Sequence, residues 1–136
     1  MHHRLKINIY YEDTDCAGVV YYANYLKYFE RARTELLRSL GIPVRGLMDE
    51  GLYFVVVKAS LDYHRPGRYG DTLLIETEVT HIGSASIEFS HYVRNDLTGD
   101  MLVSGMVKIA TVTDRLKPVR LPAKIKESFE NAPGIT

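Results

Sequence analysis

Three carboxylates, a thiol and a glycine crowd the run Glu12-Asp13-Thr14-Asp15-Cys16-Ala17-Gly18, just ahead of a segment with helical periodicity. A helix N-terminus presents unpaired backbone N–H groups and the positive end of its dipole. Such donors suit the oxyanion that forms on an attacked carbonyl, and a carboxylate slightly upstream can act as base or nucleophile. Six of the ten tyrosines lie between residues 10 and 28, so rings with polar tips would wall this region. A structural reading competes with the chemical one: Asp13 or Asp15 caps the helix, a common use of Asp, and the tyrosines pack.

Other chemistries are poorly supplied. Acidic neighbours raise a thiol pKa and no His is close in sequence, so Cys16 is a weak nucleophile candidate. Gly83-Ser84-Ala85-Ser86 lacks the closing glycine of a nucleophile elbow. The five His, at 2, 3, 64, 81 and 91, show no metal-ligand spacing, so neither a metal nor another cofactor is expected. There is no phosphate loop and no dinucleotide fingerprint. With 17 basic and 17 acidic residues the formal charge is zero, which disfavours nucleic acid as a partner. One cysteine and the absence of an apolar leader after Met1-His2-His3-Arg4 point to a reducing, cytoplasmic setting. The longest strongly apolar run, 52–57, is too short for a bilayer, so no membrane insertion is expected.

The elements that must position the acidic run follow from periodicity. Leu5, Ile7 and Ile9 alternate with polar residues as a first strand. Over 21–40, Tyr22, Tyr25, Leu26, Phe29, Ala32, Leu36, Leu37 and Leu40 share one side of a helix, while Asn24, Lys27, Arg31, Thr34, Glu35 and Arg38 take the other. Gly41-Ile42-Pro43 stops it. After a connector over 44–51 with room for one helical turn, strands are expected at 53–63, 72–81, 86–95 and 100–113, with short breaks that imply antiparallel pairing. A weak helix or tail is expected over 122–131. A single apolar-striped helix and a curling five-stranded sheet can bury each other, which makes the class α+β and the chain, 1–136, one domain.

The run from Tyr11 to Tyr25, continued by Tyr28-Phe29-Glu30-Arg31-Ala32-Arg33-Thr34-Glu35, resembles the signature of the 4-hydroxybenzoyl-CoA thioesterase family, and within it the YbgC-like acyl-CoA thioesterases. Phe54-Val55-Val56, the segment Tyr63 to Asp71 and Leu121-Pro122 resemble further family segments, so the likeness covers nearly the whole chain. It implies the hotdog fold, hydrolysis of acyl-CoA or acyl-carrier-protein thioesters, and a homo-oligomer, dimer or tetramer; the long strands, whose edges would otherwise be uncovered, predict edge-to-edge dimers with sites at the interface. Position by position, it puts the catalytic carboxylate on Asp15 and the oxyanion donor on the backbone N–H of Tyr22, with Gly18 among the substrate-binding positions. The YbgC-like group carries His at the donor position, whereas this chain has Tyr22, and the hydroxybenzoyl branch has Tyr there too. It also implies a contact between the acyl group and an acid at Glu30. That branch has an arginine cluster after its third strand, where this chain reads His81-Ile82-Gly83-Ser84; for the phosphates of coenzyme A the candidates are Lys58, Arg65, Arg68 and Arg94.

The helical wheel singles out Glu30 independently. Arg33 falls near the centre of the apolar stripe and Glu30 at its edge, three residues apart and within pairing distance. Either the two pair and snorkel at a subunit boundary, or Glu30 reaches the acyl pocket. Two rival functions remain beside the thioesterase: a hotdog module that binds an acyl carrier or envelope partner without turnover, for which Asp15 is superfluous, and a hotdog dehydratase, which expects a catalytic His near the helix.

Overall fold

A computed structural model describes residues 2–131. The alternating segments form one antiparallel sheet of five strands: β1 (His2–Asn8), β2 (Tyr53–Tyr63), β3 (Thr72–Ile82), β4 (Ser86–Asn95) and β5 (Met101–Val112). Their order is β1-β3-β4-β5-β2, so β1 and β2 are the two edges. Three helices accompany the sheet: α1 (Asn24–Ser39), α2 (Val44–Asp49) and α3 (Ala123–Glu130). The expected strands and the turn of helix after Pro43 are all present, with ends within a few residues of the sequence reading.

Helix α1 lays Tyr28, Phe29, Ala32 and Leu36 against Leu73, Ile75, Ile87, Phe89, Val93 and Val107, all essentially without solvent exposure. Close approach of helix and sheet depends on Gly105 in β5. A Cβ there would sit 2.7 Å from the Phe29 ring and 2.8 Å from the Ser60 carbonyl oxygen. Overpacking against a backbone atom has no cheap relief, so Gly105→Ala is expected to destabilise the fold by about 1–3 kcal/mol in urea titration.

The helix starts three residues later than periodicity suggests. Tyr21 donates its N–H to the Asp13 carbonyl (2.9 Å), which keeps that residue in extended pairing, and Asn24 turns back onto the Tyr21 carbonyl (2.8 Å). Leu26 departs from the apolar side assigned to it. Like Tyr22 just before the helix and Glu30 one turn on, it is exposed. Asn24 departs the other way and is buried, because its side chain bonds to Asp13.

Beneath α1 lies a buried polar group that the sequence reading missed. His91 is fully buried on β4, its ring stacked on Phe29 at 4.4 Å between centroids. Its Nδ1 is 2.9 Å from the Thr77 hydroxyl and its Nε2 3.5 Å from Arg33 Nη1. A guanidinium only donates, so Nε2 is the acceptor and the proton sits on Nδ1. Burial, with Arg33 adding to it, lowers the His91 pKa to about 3. The unfolded chain therefore binds a proton here below about pH 6.5 that the folded chain refuses until about pH 3. This contribution to stability is intact above pH 6.5 and lost as pH falls toward 3, at up to about 1.4 kcal/mol per pH unit. His91→Gln keeps an amide for both partners and cannot titrate, so its unfolding free energy should fall less steeply between pH 6 and 4 than that of the parent protein.

Candidate active site

The acidic run folds as a tight hairpin ahead of α1. Thr14 and Val20 pair as an antiparallel bridge, and the Asp15 N–H donates to the Val19 carbonyl (2.9 Å). Residues 15–18 make the turn, closed by the Gly18 N–H on the Asp15 carbonyl (3.1 Å). Gly18 has φ +76°, the left-handed region, and a Cβ there would meet nothing within 4 Å. Its requirement is thus conformational and not one of space.

The two acids that the capping reading treated alike have separate tasks. Asp13 is buried, with Oδ2 accepting the Tyr10 N–H (2.9 Å) and Oδ1 accepting the Asn24 amide (3.1 Å). It ties the short 3-10 turn at Tyr11–Asp13 to the first residue of α1. Asp15 is exposed. Its Oδ1 accepts the Ala17 N–H (2.8 Å), which steadies the turn, and among the described residues Oδ2 takes no hydrogen bond. Neither acid caps α1; the residue at that position is Ala23, with no side-chain hydrogen bond to the helix.

The start of α1 is therefore open. Among the described residues the Tyr22 N–H has no hydrogen-bond acceptor, while the Tyr22 carbonyl accepts the Tyr63 hydroxyl from the end of β2 (2.9 Å). A cleft of about 270 Å³ lies beside it, lined by Val20, Tyr22, Tyr25, Tyr63, His64 and Arg65, among others. The Tyr25 hydroxyl accepts the Gly67 N–H (3.2 Å) and the Val20 N–H donates to the Gly67 carbonyl (2.8 Å), so the Arg65–Arg68 turn is clamped onto the hairpin. The structure thus gathers Asp15, Gly18 and Tyr22 on one hairpin-to-helix junction.

Glu30 stands apart from that junction, about 9 Å along α1 from its first residue, Asn24, at about 1.5 Å per residue. It is exposed and accepts the Thr34 hydroxyl (2.9 Å). Among the described residues Glu30 and Arg33 form no ion pair, which corrects the pairing that the helical wheel suggested. Arg33 turns inward to His91 instead and is only 8% exposed. Burial lowers its pKa to about 10, with Glu30 pulling it back up, so it stays charged at neutral pH. Both residues line a slot of about 160 Å³, with Leu37, Val44, Phe54, Val56 and Ile109 for walls. A separate cavity of about 410 Å³ between α2 and α3 includes none of these residues.

Cys16 is exposed and unpaired in the turn, and no cluster of three His, Cys, Asp or Glu side chains suited to a metal occurs among the described residues. No helix among them is long and apolar enough to cross a membrane.

A five-stranded antiparallel sheet curled about one long helix, with an acid-bearing hairpin at the helix start, defines a hotdog fold. Residues 17–101 match the thioesterase superfamily domain, and the chain belongs to that family. It is 43% identical over 128 residues to an acyl-CoA thioesterase YbgC of Haemophilus influenzae, covering 92% of each chain. It is also similar to the solved structure of a probable thioesterase from Bartonella henselae, at 35% identity and TM-score 0.83, covering 90% of this chain and all of that one. The fold alone is shared with a 1,4-dihydroxy-2-naphthoyl-CoA thioesterase from Synechocystis, at 20% identity and TM-score 0.90, covering 98% of this chain and all of that one.

Proposed function

We propose that this protein is an acyl-CoA thioesterase, cleaving R–CO–S–CoA with water to the free acid and the coenzyme thiol. The observation that carries the assignment of residues is the division of labour between the acids. Asp13 is consumed in structure, whereas, among the described residues, Asp15 is displayed with an uncommitted oxygen next to a helix start whose Tyr22 N–H has no acceptor. In this reading the thioester carbonyl oxygen docks on the Tyr22 N–H, where donors preorganised for the developing negative charge lower the barrier. Asp15 then acts by one of two routes. It attacks the carbonyl carbon, expelling the thiolate and leaving an anhydride that water opens, or it takes a proton from the water that attacks. Oxygen-18 appearing in Asp15 during a single turnover marks the first route. Glu30, at the mouth of the slot along α1, faces the acyl end.

The assembly proposed is a dimer through β2, pairing further into a tetramer. The two sheet edges differ in a way that favours this. Edge strand β1 is blunted by charge: Arg4 and Lys6 approach Glu76 and Asp96. Edge strand β2 instead shows Val56 and Val57 more than half exposed, and exposed apolar edges are rarely left uncovered. The same edge borders the cleft beside Tyr22 through Tyr63, so a second subunit there would complete the site. Light scattering at micromolar concentration should show a dimer or larger; a monodisperse monomer would refute this part. The single, exposed cysteine, which can form no disulfide within the chain, supports a cytoplasmic location.

The test of the activity is a thiol-release assay over acyl-CoAs from acetyl to palmitoyl, with benzoyl-CoA, hydroxybenzoyl-CoA and acyl carrier protein thioesters beside them. Catalysed release from at least one acyl-CoA is expected. Binding of these thioesters without release from any would favour the non-catalytic carrier-binding module instead.

A further inference from the structure

The thioesterase reading leaves the nucleotide end of the carrier without a binding site, and the structure sorts the four cations that could serve it. Arg94 is committed to Glu76 Oε1 (2.9 Å) and the Gly99 carbonyl (3.3 Å). Lys58 lies midway along β2, opposite Lys108 of β5, away from the hairpin. Arg65 borders the cleft but leans toward Asp100 (3.7 Å). Arg68 is exposed and, among the described residues, has no carboxylate within 4.0 Å of its guanidinium.

The position of Arg68 is fixed by its backbone. It pairs with Val19 of the hairpin, its N–H is held by Asp71 Oδ2 (3.0 Å), and the next residue, Tyr69, donates its N–H to the Gly18 carbonyl (3.1 Å). The turn that bears Arg68 is therefore bonded directly to the turn that bears Asp15. Beside it stands a pair of unusually exposed aromatic rings: Tyr11, 76% exposed, and Tyr69, 61% exposed, with centroids 5.8 Å apart and planes at 52°. Two such rings in water, next to an unneutralised guanidinium, match a ligand that carries both a flat aromatic base and a phosphate. Bases stack on tyrosine, and a planar guanidinium pairs with phosphate in forked geometry.

We infer that Tyr11, Tyr69 and Arg68 form the subsite for the nucleotide end of coenzyme A, the rings taking the adenine and the guanidinium a phosphate. The inference rests on the thioesterase reading and makes it more specific. An acyl carrier protein offers phosphate and acidic side chains but no purine at this end, so the ring pair selects coenzyme A over the protein carrier. The zero formal charge of the chain argues against a nucleic acid as the base-bearing ligand.

The test compares one acyl group on three carriers: coenzyme A, acyl carrier protein, and N-acetylcysteamine, which has the thioester and no nucleotide. Arg68→Ala and Tyr69→Ala should each raise KM for the acyl-CoA about tenfold with kcat nearly unchanged, and leave the N-acetylcysteamine thioester unaffected. Both residues are exposed, and melting temperatures close to the parent protein's would exclude misfolding. Calorimetric titration with adenosine 3′,5′-bisphosphate gives a readout independent of turnover: the parent protein should bind it and both variants about tenfold less tightly. No hydrolysis of any thioester, with bisphosphate binding retained and sensitive to both substitutions, would fail the thioesterase reading while upholding the subsite. Parent-like KM for acyl-CoA in both variants, equal losses on the N-acetylcysteamine thioester, or losses confined to the carrier-protein thioester would each overturn the subsite.

Discussion

Asp15→Asn should lower kcat for the best acyl-CoA by at least about 100-fold while moving the melting temperature little. General-base catalysis is typically worth about 10²–10⁴-fold, and loss of a nucleophile can cost more. The replacement is nearly isosteric. The Asn side-chain oxygen can still accept the Ala17 N–H that Asp15 Oδ1 accepts at 2.8 Å, so the turn closed at Gly18 survives. What disappears is charge and basicity at the uncommitted oxygen. Asp13→Asn makes the contrast: it alters a buried acceptor pair, so its cost should fall on stability more than on turnover. Cys16→Ser should behave like the parent protein, because the thiol has no assigned step. Near-normal turnover of Asp15→Asn, with deamidation back to Asp excluded by mass, would remove Asp15 from the mechanism.

The second large effect is expected at the Tyr22 backbone. Replacing the amide between Tyr21 and Tyr22 by an ester, through semisynthesis, deletes one N–H and leaves every side chain in place. Because that N–H has no acceptor among the described residues, its loss should cost the resting fold little. Removing one oxyanion donor typically lowers kcat about 10²–10³-fold, and a drop of that size is expected here. Tyr22→Phe is the control: the Tyr22 carbonyl, not its hydroxyl, meets Tyr63, so the phenylalanine variant should keep most activity. A parent-like kcat in the ester variant would place the oxyanion elsewhere.

Strand alternation and the helical stripe place every strand and α1, because burial on one face imposes period 2 or 3.6 on the sequence, whereas α2 and α3 read only as room for one turn over 44–51 and as a weak helix or tail over 122–131. The start of α1 was not legible in the same way. Tyr21 and Tyr22 fit the helical period, but their backbone is claimed by pairing with Asp13 and by Tyr63 across the chain, which no local pattern records. The separation of Asp13 from Asp15 was likewise hidden: both are short acids before a helix, and what distinguishes them is the burial of Asp13 and its bonds to Tyr10 and to Asn24, eleven residues on. Glu30 and Arg33 show the limit of a wheel. It put them within pairing distance, but Arg33 finds His91, 58 positions away, across the helix–sheet interface. One signal could have pointed to that contact. His91 falls on the inward face of β4 with Ile87, Phe89 and Val93, so its alternation marked it as buried and in need of partners.

The central claim is that Asp15 performs chemistry on a bound thioester. It is tested most directly by rapid-quench single turnover, with enzyme in excess over the best acyl-CoA, for the parent protein and Asp15→Asn. This regime isolates the chemical step from product release. The account predicts rapid appearance of free acid and thiol in the parent protein, and in Asp15→Asn an acyl-CoA that binds with parent-like affinity and stays intact on that timescale. Single-turnover rates that match within a fewfold would contradict it.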